Sequence, residues 1–208
     1  NGWAAALDGA DALVHFSAVN PYPNADWSES AQSMDHGFNV FQAACLRGVR
    51  RVVFATSNHV MGQYKEDLDL GAGMLRPDLP PKVGTPFRDP VVLASSGDAI
   101  AYAAAKLAME RNAACLAAFH APRTTFVCLR IGWCQPGENS PSTLSAAGSP
   151  PEFQTDTGAA AEARRGDDAV DEDWFRGMWL SNRDFLSYFE RALTVDVPSE
   201  WNLSSEAS

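Results

Sequence analysis

The sequence has few lysines, few cysteines and no long apolar run. Its 208 residues carry 16 basic and 26 acidic side chains, which gives a net charge of −10. That charge argues against nucleic acid and anionic membrane as partners. No apolar stretch approaches the roughly 20 residues that a membrane-spanning helix needs, and no secretory signal pattern opens the chain. We therefore expect an intracellular protein, located in the cytoplasm, with an organelle as the alternative.

Metal and disulfide chemistry have little support in the sequence. No Cys-x-x-Cys pair is present, and the four histidines are scattered along the chain, so no metal site is predicted. Each cysteine lies in or beside an apolar stretch, which favours reduced and buried thiols. The cysteines are Cys45, Cys115, Cys128 and Cys134.

Strand and helix patterns alternate along the chain. Apolar runs bounded by turn residues predict buried strands at 12–18, 51–56 and 124–131. Helical spacing of apolar residues predicts helices at 33–47, 99–119 and 182–193. This alternation predicts an α/β fold, in which helices cover both faces of a parallel sheet. Ligands bind beyond the carboxyl ends of strands in such sheets, and Ser17, Ser57 and Gly132 fall at those ends.

Two segments interrupt the alternation. Residues 65–98 are rich in proline and glycine, which predicts a long excursion over the surface. Residues 136–173 combine proline, serine, glycine and alanine with an acidic cluster, which predicts an acidic low-complexity loop that forms no core. We expect residues 1–135 and 174–208 to make up one domain around these insertions.

A tyrosine and a lysine four residues apart are the strongest chemical signal. Tyr102 and Lys106 lie in an alanine-rich stretch without Gly or Pro, so they should share one face of a helix. A nearby ammonium favours the phenolate and lowers a tyrosine pKa. We therefore expect Tyr102 to be a general base, with Ser57 supplying a second hydroxyl.

Four motifs occur in the order found in the extended short-chain dehydrogenase/reductases, the NAD-dependent epimerase/dehydratase group, which the chain resembles. They are residues 9–15, residues 51–57, Tyr102-x-x-x-Lys106 and residues 129–132. Within that group, Ser57-Asn58-His59 is particularly similar to the uronate dehydrogenases. The resemblance implies a Rossmann-like, doubly wound parallel sheet.

The resemblance also implies roles for single residues. The catalytic residues would be Ser57, Tyr102 and Lys106. The residues that contact NAD, with NADP as the alternative, would be Ser17, Ala18, Tyr102, Lys106 and Ile131. The residues that bind a small-molecule sugar would be Asn58, His59 and Arg176, the last as a bidentate clamp for a carboxylate. A homo-oligomer and a subunit of a larger assembly are both left open.

The departures from the family pattern leave three functions open. The chain has no Gly-x-x-Gly-x-x-Gly turn, so we expect it to lack the family's first strands, and its last elements as well. Trp133 stands where uronate dehydrogenases tend to carry a small residue. The leading function is oxidation of a hexuronate to its lactone. The alternatives are a nucleotide-sugar epimerase or dehydratase, and a non-catalytic subunit or scaffold of a larger assembly. For His59 alone, the alternative to sugar binding is a packing residue bonded to a backbone carbonyl.

Overall fold

The computed structural model describes residues 2–19, 26–67, 73–76, 78–86, 99–134, 137, 139–141, 174 and 176–197. Most of the predicted acidic loop at 136–173, the outer part of the predicted excursion at 65–98 and residues 198–208 lie outside this set. Within the described residues, no helix has the length and apolar character needed to cross a bilayer.

A three-stranded parallel sheet forms the centre of the structure. Its strands are Ala12–His15 (β1), Arg51–Ser57 (β2) and Thr125–Ile131 (β3), in the order β1-β2-β3. The central strand β2 is buried along its whole length after Arg51, which explains why its sequence is a continuous apolar run rather than an alternating one. The predicted parallel sheet is confirmed, although β1 ends at His15, three residues earlier than expected.

Helices pack on both faces of this sheet. They are Trp27–Leu46 (α1), Ile100–His120 (α2) and Asn182–Thr194 (α3), with short 3-10 helices at Gly2–Leu7 and Asn58–Glu66. Side chains alternate along β2, so Val52 and Phe54 join a core with α1 and α2. Val53 and Ala55 face the other way, toward a core that includes α3. The structure therefore confirms the predicted doubly covered sheet.

Helix α1 begins six residues before the predicted start. Asp26 is its N-cap and accepts a hydrogen bond from the Glu29 backbone N–H at 2.8 Å, while the Glu29 carboxylate accepts from the Asp26 N–H at 3.1 Å. This reciprocal capping box satisfies two amide groups at the helix end. The Asp-x-x-Glu spacing is visible in the sequence and marks the true start better than the apolar spacing does.

The prediction for the cysteines is wrong for two of the four. Cys45 and Cys128 are buried, whereas Cys115 and Cys134 are exposed, and all four thiols are free. Cys115 lies on the outward side of α2, where the alanine-rich sequence gives no apolar stripe to distinguish the buried face from the exposed one.

Candidate active site

The start of α2 meets the carboxyl end of β2. Lys106 is 3% exposed, and its Nζ donates a hydrogen bond to the carbonyl of Ala55 at 2.7 Å. The same Nζ lies 4.7 Å from the ring centroid of Phe54 and 5.6 Å from that of Tyr102. The helix thus directs Tyr102 and Lys106 toward the edge of the sheet where ligands bind in parallel α/β folds.

Ser57 is the last residue of β2 and is buried. Its hydroxyl accepts a hydrogen bond from the His59 N–H at 3.2 Å and donates to Asn58 Oδ1 at 3.3 Å, and it lies near enough to Tyr102 to lower the tyrosine pKa. It therefore caps the 3-10 helix Asn58–Glu66 and at the same time joins β2 to α2. The structure brings Ser57, Tyr102 and Lys106 together.

The protonation states differ from the expectation for Tyr102. Burial raises the pKa of Tyr102 to about 12, and the neighbouring Ser57 hydroxyl opposes this only in part. Burial also lowers the pKa of Lys106 to about 8, with the charge of Glu110 acting in the opposite direction. We expected the ammonium to lower the tyrosine pKa. That expectation is wrong for this structure, because removal of the phenolate from water outweighs the favourable contacts while the Lys106 ammonium is bonded to Ala55.

His59 lies beside the tyrosine and is only 5% exposed. Its ring stands edge-on to Tyr102 and to Trp133, with centroids 6.0 and 5.7 Å away. Its Nδ1 is hydrogen-bonded to the hydroxyl of Thr85 at 2.7 Å, not to a backbone carbonyl as one interpretation held. Burial lowers the pKa of His59 to about 4, so the ring is neutral near pH 7. Its contact with a sugar stays a prediction, as does that of the half-buried Asn58.

The segment of residues 79–86, here called the strap, packs on the 3-10 helix Asn58–Glu66. Gly84 N donates to His59 O at 2.9 Å, and Gln63 N donates to Lys82 O at 3.1 Å. Gly62 has no room for a side chain, because a Cβ there would lie 1.9 Å from Thr85 Oγ1. The expected surface excursion is therefore wrong for this part, where Thr85 is 1% exposed. The sequence did not indicate Thr85, because its contact with His59 depends on how the strap folds back over the 3-10 helix Asn58–Glu66.

The remaining predicted ligand-contacting residues lie at or near the same edge of the sheet. Ser17 is exposed and Ala18 half-buried just beyond β1, and Ile131 is the half-buried last residue of β3. Arg176 is exposed. It lies shortly before Trp179, whose backbone forms an isolated parallel pairing with Trp133. The structure therefore places Arg176 near the continuation of β3, and its carboxylate-binding role stays a prediction.

A buried ion pair, one helical turn after Lys106 on α2, was not predicted from the sequence. Arg130 on β3 donates to Glu110 on α2 through Nη2 at 2.7 Å and through Nε at 3.1 Å. Thr56, the residue before Ser57, donates to the same carboxylate at 2.7 Å. The sequence does indicate that Glu110 lies near this site, because Tyr102, Lys106 and Glu110 follow one another at intervals of four along a helix.

These donors fit the reactive end of a dinucleotide. The Lys106 ammonium has three protons, one of which is bonded to Ala55, and the small residues Ser17 and Ala18 lie beyond β1, after Phe16. No Gly-x-x-Gly-x-x-Gly turn occurs in the sequence, so no residue here is assigned to a pyrophosphate. Among the described residues, no group of three His, Cys, Asp or Glu side chains is placed to hold a metal ion.

The parallel sheet and its helical cover define a Rossmann-like α/β domain, with Ser57, Tyr102 and Lys106 grouped at one edge of the sheet. The fold is also seen in a solved mutated uronate dehydrogenase, which is 20% identical with a TM-score of 0.56. That match covers 99% of this chain and 54% of the other.

The curated relatives point the same way. Uronate dehydrogenase from Pseudomonas putida is 36% identical over 73 residues, which are 35% of this chain and 27% of the relative. An L-arabinose 1-dehydrogenase (NAD(P)(+)) from Haloferax volcanii is 41% identical over 61 residues, or 28% and 23% of the two chains. No protein-family model matches. The relatives are thus uronate and other sugar dehydrogenases, and the chain spans about a quarter of their length.

Proposed function

We propose that this chain carries the catalytic residues of an NAD-dependent oxidoreductase that acts on a sugar hydroxyl. The observation that carries the proposal is the grouping of Ser57 at the carboxyl end of β2 with Tyr102 and Lys106 at the start of α2, where the Lys106 Nζ lies 5.6 Å from the Tyr102 ring centroid. The relatives named as uronate dehydrogenases favour a hexuronate as substrate, with its lactone as product. NADP is the alternative cofactor, since the similar L-arabinose 1-dehydrogenase of Haloferax volcanii is named for both NAD and NADP.

Each residue has a distinct part in this reaction. A bound NAD supplies the acceptor for the hydride that leaves the sugar carbon. Ser57 holds the reacting hydroxyl, and Tyr102 in its phenolate form takes the hydroxyl proton as the carbonyl forms. Lys106 contacts the nicotinamide ribose, and its ammonium stabilises the phenolate. Because burial raises the pKa of Tyr102 to about 12, we expect oxidation to be faster at alkaline pH.

Substrate binding is assigned to the residues around this group. Asn58 and the neutral His59 ring contact the sugar hydroxyls, and Arg176 binds the hexuronate carboxylate as a bidentate clamp. The cytoplasmic location and the homo-oligomer or larger assembly expected from the sequence stay predictions.

The first test compares Tyr102→Phe with Tyr188→Phe. Tyr188 lies on α3 and is 38% exposed, so its hydroxyl has no part in the proposed chemistry. Reduction of NAD by galacturonate is followed by absorbance. We expect Tyr102→Phe to lose at least about a hundredfold in turnover, as is common when a general base is removed, and the control to retain it. Undiminished turnover in a folded Tyr102→Phe protein would remove Tyr102 as the base.

A second comparison separates the competing functions. Galacturonate and a nucleotide-linked hexuronate are each incubated with the protein and NAD. Net NADH from the free sugar supports the proposed reaction. Conversion of the nucleotide sugar alone indicates an epimerase or dehydratase, and failure to bind NAD at all indicates the non-catalytic subunit.

A further inference from the structure

The helix that carries Tyr102 and Lys106 also presents a buried carboxylate to the interior. Glu110 is 5% exposed, and its two oxygens accept three hydrogen bonds, two from Arg130 and one from Thr56. Thr56 directly precedes Ser57 on β2. One carboxylate therefore joins α2, the end of β2 and the end of β3, the three elements that also supply Ser57, Tyr102, Lys106 and Ile131.

The Lys106 ammonium is buried, and the groups that face it come from several elements. On α2 it faces Tyr102 and Glu110, and on β2 it is bonded to the Ala55 carbonyl above the Phe54 ring. From β1 it faces His15, which burial keeps neutral by lowering its pKa to about 4. The Arg130 guanidinium of β3 reaches this region through its pair with Glu110.

Burial of an ammonium disfavours its charged form, and an opposite charge nearby restores it. Glu110 is the group that raises the pKa of Lys106 against the effect of burial. Without that carboxylate, Lys106 would lose part of its charge near neutral pH.

We propose that Glu110, one helical turn after Lys106 on α2, is a positioning residue of the active site, whose carboxylate is the counter-charge of the Lys106 ammonium and fixes the end of β2 through Thr56. The proposal rests on the proposed function, since the charge of Lys106 matters only if Tyr102 is the base. The competing interpretation is that Glu110 and Arg130 merely hold the fold together. In that case, the charge of Lys106 would not depend on Glu110.

The test measures the pKa of Lys106 directly. The chain has only three lysines, so the side-chain NMR signals of Lys65, Lys82 and Lys106 can be assigned one by one and titrated. Glu110→Gln keeps the size of the side chain and removes its charge. We expect the pKa of Lys106 to fall by about one unit, the lower end of the effect of one nearby opposite charge. The matched control is Glu190→Gln, an exposed change on α3, which should leave Lys106 unchanged.

The neutral amide of the Glu110→Gln variant leaves Arg130 buried without its charged partner, and the single variant could unfold for that reason. The double variant Glu110→Gln with Arg130→Gln removes both charges together and avoids this problem. The expected direction is the same in the double variant, because Glu110 and not Arg130 is the charge that shifts Lys106. Whichever folded variant is used, an unchanged Lys106 pKa overturns the proposal.

Enzymatic assay then separates this proposal from the proposed function. Because the pKa of Tyr102 lies above that of Lys106, the product of the phenolate and ammonium fractions rises with pH and levels off at the Lys106 pKa. If Lys106 shifts and the wild-type protein reduces NAD, the pH at which kcat/KM levels off should therefore move down by the same amount in the Glu110 variant. If Lys106 shifts and the wild-type protein has no activity, the proposed function fails while the charge coupling stands. In an active protein, a levelling pH that does not follow Lys106 overturns the positioning role.

Discussion

Replacement of Gly132 by alanine should open the connection between the end of β3 and residues 178–180. Gly132 follows β3, and a Cβ built there would lie 2.0 Å from the carbonyl oxygen of Met178 and 3.1 Å from its carbonyl carbon. The oxygen belongs to the backbone and cannot rotate away as a flexible side chain could. The two segments must therefore separate, by about 1 Å if the oxygen is to reach the 3.0 Å that real contacts respect.

The cost follows from the bonds that such a shift breaks. Trp133 N donates to Met178 O and Leu180 N donates to Trp133 O, each at 2.7 Å. A separation of about 1 Å takes both beyond the usual limit for hydrogen bonds, at about 1 kcal/mol each. Crowding in a packed region adds about 1–3 kcal/mol, part of which is relieved by the same movement. We expect Gly132→Ala to lower the free energy of unfolding by about 2–4 kcal/mol.

Urea denaturation followed by tryptophan fluorescence measures this loss. The matched control is Gly177→Ala, because a Cβ at Gly177 meets nothing within 4 Å. That variant should remain within about 0.5 kcal/mol of the wild type, as is usual for an uncrowded surface change. Equal stability of the two variants would refute the steric reasoning. Because Trp133 stands edge-on to His59, we also expect Gly132→Ala to impair turnover.

Two further predictions concern the buried histidine. His59 has a folded pKa of about 4 against 6.5 in the unfolded chain, so the unfolded state binds the extra proton and stability falls as pH drops from 6.5 to 4. The loss due to His59 should be roughly 3 kcal/mol. Buried His15, whose pKa is also about 4, contributes to the same slope, so His59→Asn should reduce the slope and the exposed His36→Asn should not; an unchanged slope in His59→Asn would contradict this origin. Thr85→Val removes the hydroxyl bonded to His59 Nδ1 and should cost about 1–3 kcal/mol in urea denaturation, whereas full stability would mean that the hydrogen bond contributes nothing.

The elements of the sheet could be predicted because their signals are local. A continuous apolar run bounded by turn residues is enough to indicate β2, and an interval of four places Tyr102 and Lys106 on one face of α2. The position of Ser57 at the strand end follows from the same run. These features depend on neighbours in the sequence, which the sequence displays directly.

The features that escaped prediction depend on distant parts of the chain. Thr85 meets His59 only because the strap returns across the 3-10 helix Asn58–Glu66. Arg130 reaches Glu110 only because β3 lies beside β2. The raised pKa of Tyr102 likewise results from burial by several elements at once, whereas the sequence showed only the nearby lysine.

The three lysines differ so much in exposure that the protein offers one lysine side chain for chemical labelling. The Lys65 side chain is 0% exposed and Lys106 is 3% exposed, whereas the Lys82 side chain is 41% exposed. An amine-reactive fluorophore should therefore label the lysine side chains selectively at Lys82. That residue lies on the strap, three positions before Thr85, so the dye would report whether the strap stays docked against His59 when a sugar or a dinucleotide is added.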